Sequence, residues 1–244
     1  MSPQIVAFVG ATGGAGTTRL AVESAGMLAK TGRDVAVFDA AFQTAGLASY
    51  AKTRVKPDIT ALVTGDAQLD EALTPQPLEL PGTVSLCPAR APFERLARAK
   101  TAGAATQFEQ QLAAAALSHD IVIVDTPPIG GNQAIAAVNA ADQVVVVTPD
   151  SVRGQDGLAT AQERLVDISV ANHTVVANRS DGELSDADVH IPEAETTDPR
   201  ECPSCLPPDK EFTPAVVDLV ETVFGVTAEV EIPDTGRFSG LLDS

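Results

Sequence analysis

The residues best suited to chemistry in this chain lie at 10–18, GATGGAGTT. Gly10, Gly13, Gly14 and Gly16 follow an apolar β-branched run, Ile5 to Val9, and precede a helical pattern with Leu20, Ala21, Ala25 and Leu28 on one side. A strand, a glycine turn and a helix in that order make a phosphate cradle. Glycine permits positive φ and close backbone approach, so successive N–H groups converge on an anion, and the new helix adds the positive end of its dipole. The lysine that such a loop normally carries is missing, and function turns on that gap.

Two kinds of nucleotide site fit a glycine turn after a strand. In a dinucleotide fold, Gly10, Gly13 and Gly16 would be the fingerprint and Asp39, about twenty residues on, the ribose ligand. A short-chain dehydrogenase of that type needs a Tyr with a Lys four residues later to move a proton. The only tyrosine is Tyr50, and position 54 is Arg, so the catalytic half is absent. The second kind of site puts the Thr18 hydroxyl on magnesium and asks for a carboxylate at the end of a neighbouring buried strand. HDIVIVDTPPIGG, residues 119–131, supplies it in Asp125, which would leave the C-terminal edge of the sheet beside the loop and hold the metal's water shell. A helix N-cap is the plainer role for such an Asp, but Thr126-Pro127-Pro128 stiffens the exit instead.

The elements that must position these groups are legible as alternating patterns. Apolar β-rich runs at 5–9, 35–38, 84–86, 121–124, 143–147 and 174–177 alternate with Ala-rich helical stretches near 17–31, 92–117, 131–140, 153–168 and 213–224. Unbroken apolar strands separated by helices predict a doubly wound α/β fold, a mostly parallel sheet with helices on both faces. Residues 179–211 are acidic and Pro-rich and read as irregular connection.

Charge restricts the partners. Asp and Glu number 33 against 16 Lys and Arg, a formal net charge of -17, so nonspecific binding to DNA is disfavoured. Few Lys, abundant Asp, Glu, Ala, Thr and Val and few aromatics resemble proteins of salt-loving archaea. In molar salt the Debye length is about 3 Å, and an acidic surface then serves mainly solubility. No charged leader and no apolar run near the roughly 18 residues of a membrane span are present, so a soluble cytoplasmic protein is expected. Three Cys fit a reducing compartment.

Over most of its length the chain resembles the ParA/MinD family of deviant P-loop ATPases. TGGAGTT at 12–18 corresponds to the family's KGGxGKT, RDVAVFDAAFQ at 33–43 to its first switch, and HDIVIVDTPP to its second. ADQVVVVTPDSVRGQDG at 141–157 looks like the strand and helix that follow. TVVANRSDG at 174–182 looks like the segment whose Asn recognises adenine, and VHIPEAE at 189–195 like the late Ile-Pro element. The resemblance implies a P-loop domain over 1–226, with an acidic C-terminal tail over 227–244. It implies ATP with magnesium, bound by Gly13, Gly14, Ala15, Gly16, Thr17, Thr18 and Arg19, with Asn178 on the base and Thr18 and Asp125 on the metal. Asp39 is the candidate catalytic carboxylate. A homodimer that recruits protein partners is implied too, in chromosome partitioning, cell division or the positioning of other machinery.

Three charges of the family pattern are missing, at Thr12, Thr17 and Ala41. Loss of the loop lysine alone removes a charge-assisted hydrogen bond worth about 1.5–3 kcal/mol, or one to two decades of affinity. Hydrolysis should suffer more, because preorganised charge at the γ-phosphate is the main device of phosphoryl transfer. The loop resembles the GGxGxTT type of the TadZ/CpaE-like branch. Three alternatives stand beside a weak or inactive ATPase: a slow enzyme rescued by Arg19 or a partner, a nucleotide-free scaffold, and an iron-sulfur or zinc protein that shares Cys202 and Cys205 across a dimer. The last is disfavoured because one CxxC supplies only two thiolates and lies 24 residues beyond Asn178; a reversible disulfide or an incidental turn are the other readings of that pair. The basic run Arg90, Arg95, Arg98 and Lys100 reads as an amphipathic surface helix rather than a DNA contact. The ending AEVEIPDTGRFSGLLDS is acidic and broken by Pro and Gly, unlike a basic amphipathic membrane anchor.

Overall fold

β-Branched runs flanked by turns become strands here because both faces of each run are apolar and can be buried at once. A computed structural model describes residues 4–55 and 57–231. Its eight-stranded sheet contains β1 (Gln4–Gly10), β2 (Val35–Asp39), β3 (Thr74–Pro75), β4 (Val84–Cys87), β5 (Ile121–Thr126), β6 (Gln143–Pro149), β7 (Thr174–Asn178) and β8 (Val189–Ile191), in the order β3-β4-β2-β5-β1-β6-β7-β8. Every pairing is parallel except β3 with β4. The doubly wound sheet expected from the strand pattern is therefore present.

Helices cover both faces. α1 (Thr17–Lys30) and α8 (Phe212–Phe224) pack on one, where Phe8, Val37, Ile123, Val145 and Val216 share a core. The other face carries α2 (Ile59–Val63), α3 (Leu69–Ala72), α4 (Phe93–Ala99), α5 (Ala102–Ala115), α6 (Asn132–Ala140) and α7 (Val152–Asp167), over Phe38, Val122, Val124, Val9 and Val146. Alternate strand residues thus feed opposite cores, which is the period-two rule applied to a sheet buried on both sides.

Two expectations are corrected. The helical stretch at 92–117 is two helices: the chain breaks at Lys100, and Thr101 starts α5 by accepting a hydrogen bond from Ala104 N–H at 3.3 Å. A threonine able to cap competes with helix continuation, so an Ala-rich pattern ran straight through a boundary. The segment read as irregular between 179 and 211 contains β8, too short and too close to acidic residues to show as a strand in sequence. The tail expected from Thr227 falls mostly on 232–244, outside the described residues; Ala228 is buried, and its N–H donates to Glu221 Oε1 at 3.2 Å. Among the described residues, no helix is long and apolar enough to cross a membrane.

Because Thr101 caps α5 and so separates it from α4, Thr101→Ala should cost about 1 kcal/mol and lower the thermal midpoint by about 2–4 °C. Circular dichroism melts of the two proteins check this, and an unchanged midpoint would show that the cap contributes nothing.

Candidate functional site

Parallel strands deliver their C-terminal ends to one edge, and the candidate site lies there. β1 keeps one further sheet bond, Ala11 N–H to Val147 O at 2.8 Å, before the glycine turn begins. Gly14 and Gly16 have φ of 79° and 93°, a region that side chains rarely adopt. Gly16 is fixed twice over, since a Cβ there would sit 2.1 Å from Asn178 Nδ2. α1 starts at Gly16 with no side-chain cap and no acid in its first turn, so its leading N–H groups remain available to an anion.

The replacements for the two lysines, Thr12 and Thr17, both line the cleft at this turn and bring no charge to it. Thr17 is buried, with its hydroxyl close to Gly10, where an added Cβ would lie 3.0 Å from Oγ1. Thr12 packs on α7, so that a Cβ on Gly157 would come within 2.3 Å of its Cγ2.

Register pairs Asp39 of β2 with Asp125 of β5, which brings two carboxylates to neighbouring strand ends. Both are buried, Asp39 at 0% and Asp125 at 2% exposure. Asp39 accepts hydrogen bonds from Ala41 N–H at 2.8 Å and Ala89 N–H at 3.2 Å. Asp125 Oδ2 has no hydrogen-bond partner among the described residues. Burial pushes Asp39 up to about 6, against those backbone donors. Burial, followed by the charge of Asp39, pushes Asp125 up to about 8, while the Thr18 hydroxyl favours its ionised form. An unpartnered buried oxygen beside a threonine hydroxyl calls for a cation, and these residues fit magnesium. The described residues contain no group of three or more His, Cys, Asp or Glu that could hold a metal, so such an ion would complete its shell with water and ligand phosphates.

A cleft of about 360 Å³ is lined among others by Gly13, Thr17, Thr18, Tyr50, Asp125 and Pro199, whereas the buried Asp39 and Asn178 lie outside its lining. Asn178 stands at the end of β7 and donates Nδ2–H to Ala15 O at 2.8 Å. Arg179, which the sequence reading passed over, donates from Nη2 to Gly14 O at 2.7 Å and adopts a positive φ of 53°. Adjacent residues of β7's exit thus bind adjacent carbonyls of the turn. Their placement next to Asn178 was the one sequence signal for Arg179.

Arg19 lines the cleft with its stem but commits its guanidinium elsewhere. It pairs with Glu23 at 3.3 Å, donates to Ser204 Oγ at 2.7 Å and to Thr196 O, and lies 5.4 Å from the Phe212 ring centroid. Cys202 and Cys205 are buried in the same junction. Cys205 N–H donates to Glu23 Oε2 at 3.0 Å, and Pro203 abuts Gly26, where a Cβ would meet its ring at 2.3 Å. Burial, with Glu23 nearby, pushes the Cys202 thiol up to about 12 and Cys205 well above its ordinary range, the reverse of a metal-ligating thiolate. In the basic run, Arg95 pairs with Asp58 at 2.8 Å and Arg98 with Asp66 at 3.1 Å.

Residues 3–175 match the AAA domain family AAA_31. The chain belongs to that family. An uncharacterised ATP-binding protein of Methanocaldococcus jannaschii is 31% identical over 155 residues, 63% of this AAA-domain chain. The match spans 56% of that relative, little more than half its length. The fold is similar to that of septum site-determining protein MinD from Pyrococcus horikoshii, solved with Mg-ADP, at a TM-score of 0.75 and 18% identity over 90% of this chain and 95% of that one. A ParA family ATPase from Chlorobium tepidum gives a TM-score of 0.75 at 18% identity, covering 89% of this chain and 98% of its own. These likenesses establish a ParA/MinD-like P-loop fold for this member of the AAA domain family.

The carboxylate pair makes stability depend on pH with a definite sign. Both folded-state values lie above the unfolded value near 4, so their stabilising contribution is whole below about pH 4 and is lost as pH rises through 6 and 8. Asp125→Asn should therefore match wild type at pH 4 and exceed it by about 1–2 kcal/mol at pH 8 without ligand. Denaturant melts at the two pH values decide it; a variant less stable at pH 8 would contradict the assignment.

Proposed function

We propose that this chain binds ATP with magnesium in the cleft at the C-terminal edge of the sheet, and that it turns ATP over slowly or not at all. The observation that carries the reading is the buried Asp125 carboxylate with a free Oδ2 beside Thr18, at the mouth of an uncapped helix that follows a glycine turn. Backbone N–H groups of 13–18 would hold the phosphates, Thr18 and Asp125 the metal, and Asn178 the base. When bound, magnesium neutralises phosphate charge. Asn178 and Arg179 hold the turn from behind through its carbonyls, which keeps the peptide planes from rotating when an anion arrives.

Weak turnover follows from charge. Thr12, Thr17 and Ala41 place no cation or second carboxylate at the outer phosphate, and the guanidinium of Arg19 is tied to Glu23 and Ser204. Stabilisation of developing charge is the largest device in phosphoryl transfer, so its loss is felt more in rate than in binding. Such a protein acts through what it recruits. The ParA/MinD-like fold supports a cytoplasmic homodimer that engages protein partners in the spatial organisation of the cell, with the acidic surface opposing DNA.

Thermal unfolding in molar KCl with magnesium tests the reading directly. Nucleotide at one hundred times its dissociation constant adds about 2.7 kcal/mol and should raise the midpoint by about 5–10 °C. No shift with either ATP or ADP would leave a nucleotide-free scaffold as the better account. Restoring the missing cation with Thr17→Lys should tighten ATP binding by about 10–100-fold, the affinity equivalent of one charged hydrogen bond. Calorimetric titration of the variant measures that gain, and equal affinities would mean the loop has adapted to lack it.

A further inference from the structure

A second hollow, of about 340 Å³, opens beside the phosphate cleft. Ala41, Thr44, Pro127 and Pro128 line both, so the two hollows are neighbours that share a wall carrying no charged side chain. Lys100 is the only charged residue among the described residues that line the hollow. Its position is set from α6. Asn132 Nδ2–H donates to Lys100 O at 3.2 Å, and the buried Gln133 donates Nε2–H to Ala99 O at 2.7 Å. The junction of α4 and α5 is thereby held against the start of α6, while the lysine side chain itself is exposed and makes no ion pair among the described residues.

Charge balance singles this residue out. Among the described residues, the two neighbouring hollows are lined by two basic residues, Arg19 and Lys100, and Arg19 is committed to Glu23. A carboxylate at position 41 would stand between Lys100 and the phosphate cleft and neutralise the ammonium. Alanine there adds neither charge nor bulk to the shared wall. We infer that Lys100 reaches from this hollow to the terminal phosphate of a bound nucleoside triphosphate and supplies the positive charge that the glycine turn lacks at Thr17. A lysine suits the task, since its ammonium is a compact point charge with three donors on a flexible four-carbon stem. A diphosphate ends one phosphate short of that reach, so Lys100 is a specificity-determining residue for triphosphate over diphosphate. This assignment rests on the nucleotide reading of the cleft.

The test is the dissociation constants of Mg-ATP and Mg-ADP for wild type, Lys100→Met and Lys100→Arg, measured by calorimetric titration, with ligand-free unfolding midpoints as the folding control. Lys100→Met should weaken ATP about 10-fold, equivalent to about 1.4 kcal/mol, and ADP less than about 2-fold. Lys100→Arg should recover most of the ATP affinity, and all three ligand-free midpoints should agree. Wild-type binding of both nucleotides with an ATP constant unmoved in Lys100→Met overturns the inference alone, as do equal losses for ATP and ADP, which would mark a general field effect. A wild type that binds neither nucleotide overturns the reading of the cleft and this inference with it.

Discussion

Two carboxylates on adjacent parallel strands, Asp39 and Asp125, are the constraint around which the site is arranged. Their register is fixed by the hydrophobic cores on both sides of the sheet, because a one-residue slip would turn the Val and Ile of β2 and β5 to the wrong faces. Packing thus holds two buried acids together, Asp39 inside the fold and Asp125 at the floor of the cleft. Backbone N–H groups compensate Asp39, but Asp125 Oδ2 has nothing among the described residues. A buried group in that state costs folding free energy, and proteins retain such costs where function uses them.

Positive charge, by contrast, has moved outward from the glycine turn. Arg19 is turned back onto Glu23, Arg179 grips Gly14 O from the far side, and Arg95 and Arg98 are consumed by Asp58 and Asp66. In the glycine turn itself the backbone remains: an uncapped helix and glycines in left-handed conformations. In the function we propose, such a turn would hold an anion better than it would accelerate its transfer, since N–H dipoles bind ground-state charge but the extra charge of a transition state needs additional, aimed donors.

The C-terminal half of the chain is fastened to the same helix that starts the cradle. Glu23, fully buried on α1, accepts from Ser204 Oγ at 2.8 Å and from Cys205 N–H, and pairs with Arg19 one turn from the glycines. Gly26 leaves room for Pro203 where any side chain would collide. The Cys-Pro-Ser-Cys stretch therefore acts as a packing element on α1. Removing either partner of the Arg19–Glu23 pair would strand a buried charge, so the junction is held by mutual need rather than by net gain.

Sequence by itself determined the sheet and its cradle. Continuous apolar runs at β1, β2, β4, β5, β6 and β7 could only be strands buried on both faces, and glycines at 10, 13, 14 and 16 before an Ala-rich helix could only be a tight anion turn. That Thr18, Asp125 and Asn178 sit at the start of α1 and at the ends of β5 and β7 was legible because the pattern announces those element ends. Tertiary structure alone decided the rest. Local pattern carries no information on contacts between residues far apart in the chain, so it could not show that Arg19 meets Ser204, that Arg179 meets Gly14, or that Lys100 borders the cleft. It missed the break at Thr101 because capping and helix continuation use similar residues, and β8 because three residues are too few for a period to show. Charge type is written in the sequence, but which charges are spent on each other is settled only when packing chooses their neighbours.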